Sequence, residues 1–448
     1  MIHTFRGGVH PDYMKAPQIP VNVVTPPPQV VIPMIQHIGA PAKPIVQVGD
    51  YVTMGQKIGD NEVPMFAPVH ASVSGKVVAI EQRPHPLGEM VMSVVIENDY
   101  QDTPCTDLEP LTEDQLKDPD AILKRIRDAG VVGMGGAMFP TGFKIVGGYG
   151  KVDKLVINGA ECEPYLNGDH LTMLTYPEQL LKGIELLRIA SRLDKCWYGI
   201  EVNKQDAINV LMSHDPAKYG IEIVREKVKY PQGAEKMQIK AVTGREVTPG
   251  QLPSGVGCNV CSTRTAYAVY QACYEGKPCI ERIVTVSGSA MNKTCNALTR
   301  VGTPFGYLAE QCGGFAKTPR TIVLGGPMMG ICATSLDAPT IKGTAGVLFF
   351  TEEEDKNVEE PTCIRCGKCI TVCPMHLEPV FMYMYYQKRD FEKMAQYHIT
   401  DCFECGSCSY NCPARMPLTH AFKTAKIMFQ ERAAAEKAKA AAGKEAAK

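Results

Sequence analysis

The sequence predicts a multidomain α/β protein that ends in a helical, cysteine-rich module. Three observations carry that prediction. Short β-branched runs broken by Gly, Pro and Asp fill residues 30–100. Strand-like and helix-like segments alternate from 105 to 270, as a parallel sheet with crossover helices requires. Eight of the 18 cysteines fall between 363 and 412. At 448 residues the chain exceeds one domain. A formal charge of −1 argues against a dominant nucleic-acid footprint. The longest apolar runs, such as "AGVLFF" at 345–350, fall far short of the ~18 residues a spanning helix needs. No basic stretch followed by an apolar one opens the sequence, so no signal peptide is expected. A cytoplasmic protein, attached to a membrane only through partners, is the resulting expectation. Without a secretory signal the cysteines do not read as a disulfide scaffold.

Taken in order, residues 1–28 are rich in proline ("VVTPPPQV" at 23–30) and read as an extended arm. "VQVGDYVTMGQKIGD" (46–60) and "APVHASVSGKVVAI" (67–80) look like two halves of a repeated hairpin motif. They resemble the biotinyl/lipoyl-like barrel-sandwich domain, whose cofactor carriers present a lysine between the halves. Here that hairpin is "NEVPMF" (61–66), without lysine, so a structural or docking module is expected over 1–100. In 101–270, "DPDAILKRIRDAG" (118–130) has helical spacing and ends on a capping glycine, and "KLVINGA" (154–160) reads as a buried strand. "PEQLLKGIELLRIASRL" (177–193) reads as an amphipathic helix and "CWYGIEVN" (196–203) as the next strand. "ERIVTVSGSA" (281–290) and "RTIVLGGPMMG" (320–330) suggest a small sheet-rich domain over 271–345. The acidic, turn-rich "TEEEDKNVEEP" places a linker at 346–360, and 361–448 reads as helical, closing in a solvated, fraying alanine/lysine-rich helix.

"CIRCGKCITVCP" (363–374) and "CFECGSCSYNCP" (402–413) each show the C-x2-C-x2-C-x3-C-P spacing of bacterial two-cluster ferredoxins. Three thiolates on a short loop cap three irons of a [4Fe–4S] cubane, and the fourth iron needs a ligand from elsewhere. In the two-cluster arrangement the fourth Cys of each run serves the other cluster. One set is therefore Cys363, Cys366, Cys369 and Cys412, and the other is Cys402, Cys405, Cys408 and Cys373. A pair of structural zinc sites is the rival reading, since CxxC pairs also bind zinc. Two complete four-cysteine runs, each ending in Pro, weigh against it.

"GVVGMGGAMFPTGFK" (130–144) is built to bring backbone close to an anion, yet it matches neither the dinucleotide fingerprint nor a Walker loop. "INGAECEPYLNGDH" (157–170) follows, then "YPQGAEK" (230–236) and "LPSGVGCNVCS" (252–262). In this order the segments resemble the flavin/NADH-binding subunit of respiratory complex I. There the loop reads G-x-G-G-A-x-F-P-T-G-x-K and the acidic turn N-A-D-E-x-E-P. The resemblance implies that Gly133, Gly135, Gly136 and Lys144 bind the FMN phosphate and the nucleotide. It implies that Asn158 faces the flavin and that Glu161 and Glu163 line the nicotinamide and ribose side as the catalytic pair. Asp169, Glu235 and Asn259 would complete the pocket. The family's loop usually carries Arg where Met134 stands, and Asp where Ala160 stands.

"FRGGVHP" (5–11), the barrel-sandwich, the flavin/NADH-like domain, a small β-grasp (SLBB-like) domain and the two-cluster module together resemble the RnfC family of the Rnf complexes. These are membrane-bound ferredoxin:NAD oxidoreductases that pump Na⁺ or H⁺. The resemblance implies a peripheral subunit on the cytoplasmic face of the membrane, with FMN, two [4Fe–4S] clusters and NAD(H) as substrate. Its partners would be the cluster-bearing and membrane subunits of the complex, ferredoxin being reached through one of them, and no nucleic acid. A soluble NADH diaphorase subunit and a non-catalytic iron–sulfur relay stay open as alternatives. Of the other cysteines, Cys258 and Cys261 in "GCNVCS" are read as packing residues, and Cys162 as a site to watch for oxidation.

Overall fold

A computed structural model describes residues 2–135, 137–354 and 361–446. Gly136 and 355–360, part of the expected linker, lie outside the described residues. Alternating apolar residues over the first hundred positions make two small antiparallel sheets that face each other. One holds Gln29–Pro33, Met90–Asn98, Gly75–Pro84 and Tyr51–Val52, the other Lys43–Pro44, Lys57–Asp60 and Val69–His70. Val30, Ile32, Ile58, Val77 and Ile96 fill the space between them.

In the second domain four parallel strands are ordered Ile221–Glu226, Cys196–Glu201, Lys154–Gly159, Cys258–Ser262. The first strand in the chain therefore has its successor on one side and the last strand on the other. Chains that wind both ways from one strand leave a crevice at its carboxyl end, where open α/β sheets bind ligands. Helix Pro119–Asp128 begins where the Asp118 side chain accepts from the Asp120 N–H, with Pro119 in the first turn. Helix Pro177–Ala190 buries Leu180, Leu181, Ile184 and Leu187. It lies so close to helix Thr263–Tyr274 that a Cβ on Gly183 would stand 2.0 Å from the Ala266 carbonyl oxygen, so only glycine fits there.

The β-grasp domain corrects two sequence expectations. Its six-stranded sheet runs Val21–Val23, Cys295–Arg300, Glu281–Ser287, Gly346–Phe350, Thr321–Leu324, Ile331–Ala333. Residues 346–350, assigned to the linker, form an interior strand of this sheet, because the apolar run Gly346–Phe350 is buried against its neighbours. Nor is the arm simply extended alongside the molecule. Its Val21–Val23 pairs in parallel with Cys295–Arg300, and Val9 bridges to Tyr230. The last domain packs helices Pro379–Gln387, Phe391–Gln396 and Leu418–Ala446 around Met382, Met394, Ile399 and Phe422. Among the described residues no helix is long and apolar enough to cross a membrane.

One buried lysine ties three domains together. Lys342 Nζ, from the β-grasp domain, donates to the carbonyls of Pro68 (2.7 Å) and Gly130 (2.7 Å). Its own backbone carbonyl accepts from Arg282, and its N–H donates to Gln36 Oε1 at 3.0 Å. Burial pulls the Lys342 ammonium down to about 8. Hydrogen bonds from a charged donor are worth about 1.5–3 kcal/mol each, and the abandoned carbonyls stay buried. Lys342→Ala is expected to lower unfolding free energy by about 3 kcal/mol in urea titrations, with the barrel-sandwich loosening first in hydrogen exchange.

Candidate functional site

The glycine-rich loop is closed by its own backbone: Gly133 N–H donates to the Phe139 carbonyl at 2.9 Å, and Val132 bridges to Pro140. It lies across the start of helix Thr263–Tyr274. Met134 N–H donates to Thr265 Oγ1 (2.9 Å), and a Cβ on Gly135 would come within 3.3 Å of Ser262 Cβ. Ser262 caps that helix by accepting from the Thr265 N–H. A helix N-terminus beside a glycine-rich loop is an anion site built from backbone. Met134 turns its side chain into the hydrophobic core, so it does not compete for that site.

Lys144, on helix Thr141–Gly147, brings the cation. Its Nζ donates to Glu235 Oε1 and to the Val260 carbonyl, both at 2.9 Å. Burial alone would lower its pKa, but the Glu235 carboxylate outweighs burial and the net shift is upward, so Lys144 stays charged. Asn259 Nδ2 donates to the Lys144 carbonyl at 3.3 Å. At the carboxyl end of the central strand, Asn158 Nδ2 donates to the Gly233 carbonyl (2.8 Å) while its Oδ1 accepts from Ala160 N–H (3.1 Å). Lys144, Glu235, Asn259 and Asn158 thus meet at the crevice beside the loop.

Glu161 and Asp169 sit beneath that crevice in a buried network. Glu161 accepts from the N–H groups of Asp169 (2.9 Å) and His170 (3.3 Å), capping helix Gly168–Thr175. Burial would raise its pKa, but Lys15, Arg264 and Lys204 outweigh it and hold it low. Asp169 pairs with Arg264 Nε at 2.7 Å, and there burial wins and the shift is upward. Sequence reasoning misses Lys15. Its Nζ donates to the carbonyls of Glu161 (2.8 Å), Glu163 (2.7 Å) and Leu166, fastening the acidic turn from the arm. No motif marks such a residue, because its partners are backbone carbonyls far along the chain. Cys162, also in this turn, is buried, and its Sγ accepts from Gly233 N–H at 3.2 Å. Burial pushes its thiol upward, which makes it inert.

Glu163 points the other way, toward the cysteine-rich domain. It accepts from Met328 N–H (3.1 Å) and Met329 N–H (3.0 Å), in the "GGPMMG" loop of the β-grasp domain. Burial raises its pKa against those hydrogen bonds. The Tyr230 hydroxyl donates to the Cys405 carbonyl at 2.6 Å and more weakly to Glu163 Oε1 at 3.3 Å. Gly406, at φ +81°, is so close to the same loop that a Cβ would meet the Met328 carbonyl at 2.7 Å. On the other flank, Gly8 N–H donates to the Val372 carbonyl at 2.8 Å. Val9, Cys162, Tyr230 and Cys405 form one apolar cluster across these parts.

In the cysteine-rich domain, Cys373, the last cysteine of the first run, lines one small cavity with Cys402, Cys405 and Cys408 of the second. Cys369 neighbours Cys412, and Asn411 Nδ2 donates to the Lys368 carbonyl at 3.5 Å. Cys363 and Cys366 are exposed. Among the described residues no three Cys, His, Asp or Glu side chains converge as a single-ion site. A cubane asks for something else: four thiols, each at a different corner. The inner set fits that demand, and the outer set opens to solvent.

Four family profiles match in series. They are the RnfC barrel sandwich hybrid domain over 3–101, the Nuo51 FMN-binding domain over 126–271, the SLBB domain over 283–331 and a 4Fe-4S dicluster domain over 355–413. The chain is 43% identical over 434 residues to the RnfC-type component of the Na(+)-translocating ferredoxin:NAD(+) oxidoreductase complex of Acetobacterium woodii, covering 96% of this chain and 98% of that one. The chain belongs to the RnfC family. The proton-translocating counterpart from Clostridium ljungdahlii is 40% identical over 445 residues, 98% of this chain and 96% of that one. An NAD+-reducing [NiFe]-hydrogenase in the H2-reduced state superposes with a TM-score of 0.49 at 21% identity, over 69% of this chain and 54% of that one. The expected series of barrel-sandwich, flavin-type, SLBB and dicluster domains is borne out, and the dicluster match sets the zinc reading aside.

Behind the crevice this family member carries a buried carboxyl pair that no sequence motif singles out. Glu201 and Glu226 are register partners at the carboxyl ends of adjacent parallel strands, and both are buried. Lys204 Nζ lies 2.5 Å from Glu201 Oε2, which leaves Glu226 without a cation of its own. Burial first, and the Glu201 charge second, push Glu226 well above the usual carboxylate range. A carboxyl whose folded pKa is raised contributes stability at low pH and loses it as pH climbs toward that pKa. Glu226→Gln cannot ionise. Its stability relative to the unsubstituted protein is therefore expected to grow by about 1 kcal/mol or more between about pH 5 and pH 8, read from denaturant midpoints.

Proposed function

We propose that this chain is the peripheral electron-transfer subunit of a membrane-bound, ion-translocating ferredoxin:NAD oxidoreductase, joining NAD(H) to the other subunits through FMN and two [4Fe–4S] clusters. It docks on the cytoplasmic face of the membrane against cluster-bearing and membrane subunits, and reaches ferredoxin through one of them. The observation that carries this reading is the Tyr230 hydroxyl bonded to the Cys405 carbonyl, which fuses the crevice to the inner thiol set.

FMN, when bound, takes an electron pair as hydride and passes electrons on singly to the clusters. The chain's own residues do the rest. The loop through Gly133, Gly135 and Gly136, with Ser262 at the helix start, receives the phosphate, and the Gly133 N–H keeps that loop closed. Lys144 neutralises the phosphate, and Glu235 holds the lysine in place when the phosphate is away. Asn158 and Asn259 stand at the crevice as hydrogen-bonding groups for flavin and nucleotide. The resemblance puts Glu161 and Glu163 on the nicotinamide side, yet their oxygens are engaged by helix and loop amides. Both are therefore assigned positioning tasks: Glu161 fixes the acidic turn, and Glu163 clamps the β-grasp loop between crevice and cluster loop. Cys402, Cys405, Cys408 and Cys373 hold the inner cluster. Cys363, Cys366, Cys369 and Cys412 hold the outer one, whose exposed ligands suit hand-over to a partner subunit.

The decisive experiment is anaerobic reconstitution with iron, sulfide and FMN, followed by NADH addition with flavin and cluster absorbance recorded. Both are expected to bleach. Lys144→Ala should weaken FMN binding about tenfold or more with iron content unchanged. Cys405→Ala should lower iron by about half and confine NADH bleaching to the flavin. If dithionite reduces the clusters while NADH does nothing and no FMN is retained, the chain is an iron–sulfur relay and the proposal fails.

A further inference from the structure

Most cysteines outside the cluster runs are buried singly, but two of them meet. Cys295 opens strand Cys295–Arg300 and Cys312 follows helix Phe305–Gln311, both in the core of the β-grasp domain. Their thiols are hydrogen-bonded to each other. Asn22 Nδ2, on the arm strand, also approaches Cys295 Sγ as a donor, at 3.9 Å. Lys293 lays its side chain over the neighbouring Gly313, where a Cβ would stand 2.8 Å from Lys293 Cε. The two cysteines therefore sit under a cation. Cys312 closes a helix, its N–H bonded to the Leu308 and Ala309 carbonyls at 3.1 Å each, and a helix C-terminus disfavours a thiolate there.

The asymmetry gives the two sulfurs different characters. The hydrogen bond from Cys312 first, then Asn22 and Lys293, overcome burial and bring the Cys295 thiol down to about 7. The same contact pushes Cys312 upward. Low-pKa thiols near cations beside a second cysteine are the ones that oxidants select. Asn292, Lys293, Gln311 and Gly313, which flank the pair, reach the surface, so a small oxidant can reach its edge.

We propose that Cys295 and Cys312 are a reversible dithiol–disulfide couple, with Cys295 as the peroxide-reactive sulfur and Cys312 as the resolving one. The Cys295 thiolate attacks one oxygen of hydrogen peroxide and the O–O bond breaks. This leaves a sulfenic acid on Cys295 and releases hydroxide. The Cys312 sulfur then attacks the sulfenic sulfur; the S–S bond forms, the S–O bond breaks, and the oxygen leaves as water with the Cys312 proton. Two electrons pass from the thiols to the peroxide. The disulfide staples the helix end to the strand on which the arm docks, and it removes the acceptor of Asn22. The couple therefore acts on the same arm that carries Lys15 to the acidic turn.

The test treats the full chain, with its cofactors, with stoichiometric hydrogen peroxide, then blocks free thiols with maleimide under denaturing conditions and maps peptides by mass spectrometry. A Cys295–Cys312 cross-linked peptide, reversed by dithiothreitol, is expected. Exposed Cys332 serves as the internal control for oxidant dose. In Cys312→Ser, dimedone should trap Cys295 sulfenic acid about tenfold above the unsubstituted protein. Lys293→Gln, a surface change that leaves the core intact, should slow that trapping about threefold at neutral pH. The proposal is overturned if Cys332 oxidises while Cys295 and Cys312 both still take maleimide. A Cys312→Ser protein with no dimedone adduct at Cys295 overturns it equally.

Discussion

A buried hydroxyl holds the two working halves of this chain in register. Tyr230 is fully enclosed, and its hydroxyl is directed to the Cys405 carbonyl and Glu163. An unpaired hydroxyl in that position would cost its full desolvation, so the cysteine loop must sit where it does. Around this bond, Glu163 binds two amides of the β-grasp loop, and that loop packs its Met328 carbonyl against Gly406. Three domains thus close on one point between crevice and inner thiols.

The arm supplies a second constraint. A proline-rich segment cannot build a core of its own, yet here it runs along three domains as a strap. It bridges to Glu226 and Tyr230, inserts Lys15 beneath the acidic turn, and ends as an edge strand of the β-grasp sheet. Each contact is modest. Together they fix the relative placement of elements that share little other covering, and they tie the crevice to the face where Cys295 and Cys312 meet.

The crevice itself relies on backbone more than on side chains. The flavin loop of the complex I subunit usually carries Arg where this chain has Met134, and Met134 is turned inward. Anion recognition is left to the loop backbone, a capped helix start and the Lys144–Glu235 pair. Backbone donors lose no side-chain entropy on binding, so a loop without its arginine remains a chemically complete phosphate cradle.

Local chemistry was legible in the sequence and long-range partnership was not. Cluster ligation demands cysteines at short fixed spacings, so the two runs could be read directly, as could the glycine loop, the alternating strands and the helix at 118–130. Glu161, Glu163 and Asp169 were recognisable as one acidic group, but only the tertiary structure sent Glu161 and Asp169 downward into a buried network and Glu163 outward to the β-grasp loop. Lys15, Tyr230 and the 326–329 loop carried no signal, because they act through backbone groups that no residue pattern encodes. The strand at 346–350 was lost to its acidic neighbours, whose charge dominates the composition of that stretch. The sequence by itself determined which groups can bind iron, phosphate and flavin, since those are properties of residue type and spacing. Which of them stand within reach of one another was decided only by folding, because contacts between distant segments depend on how four domains bury their surfaces together.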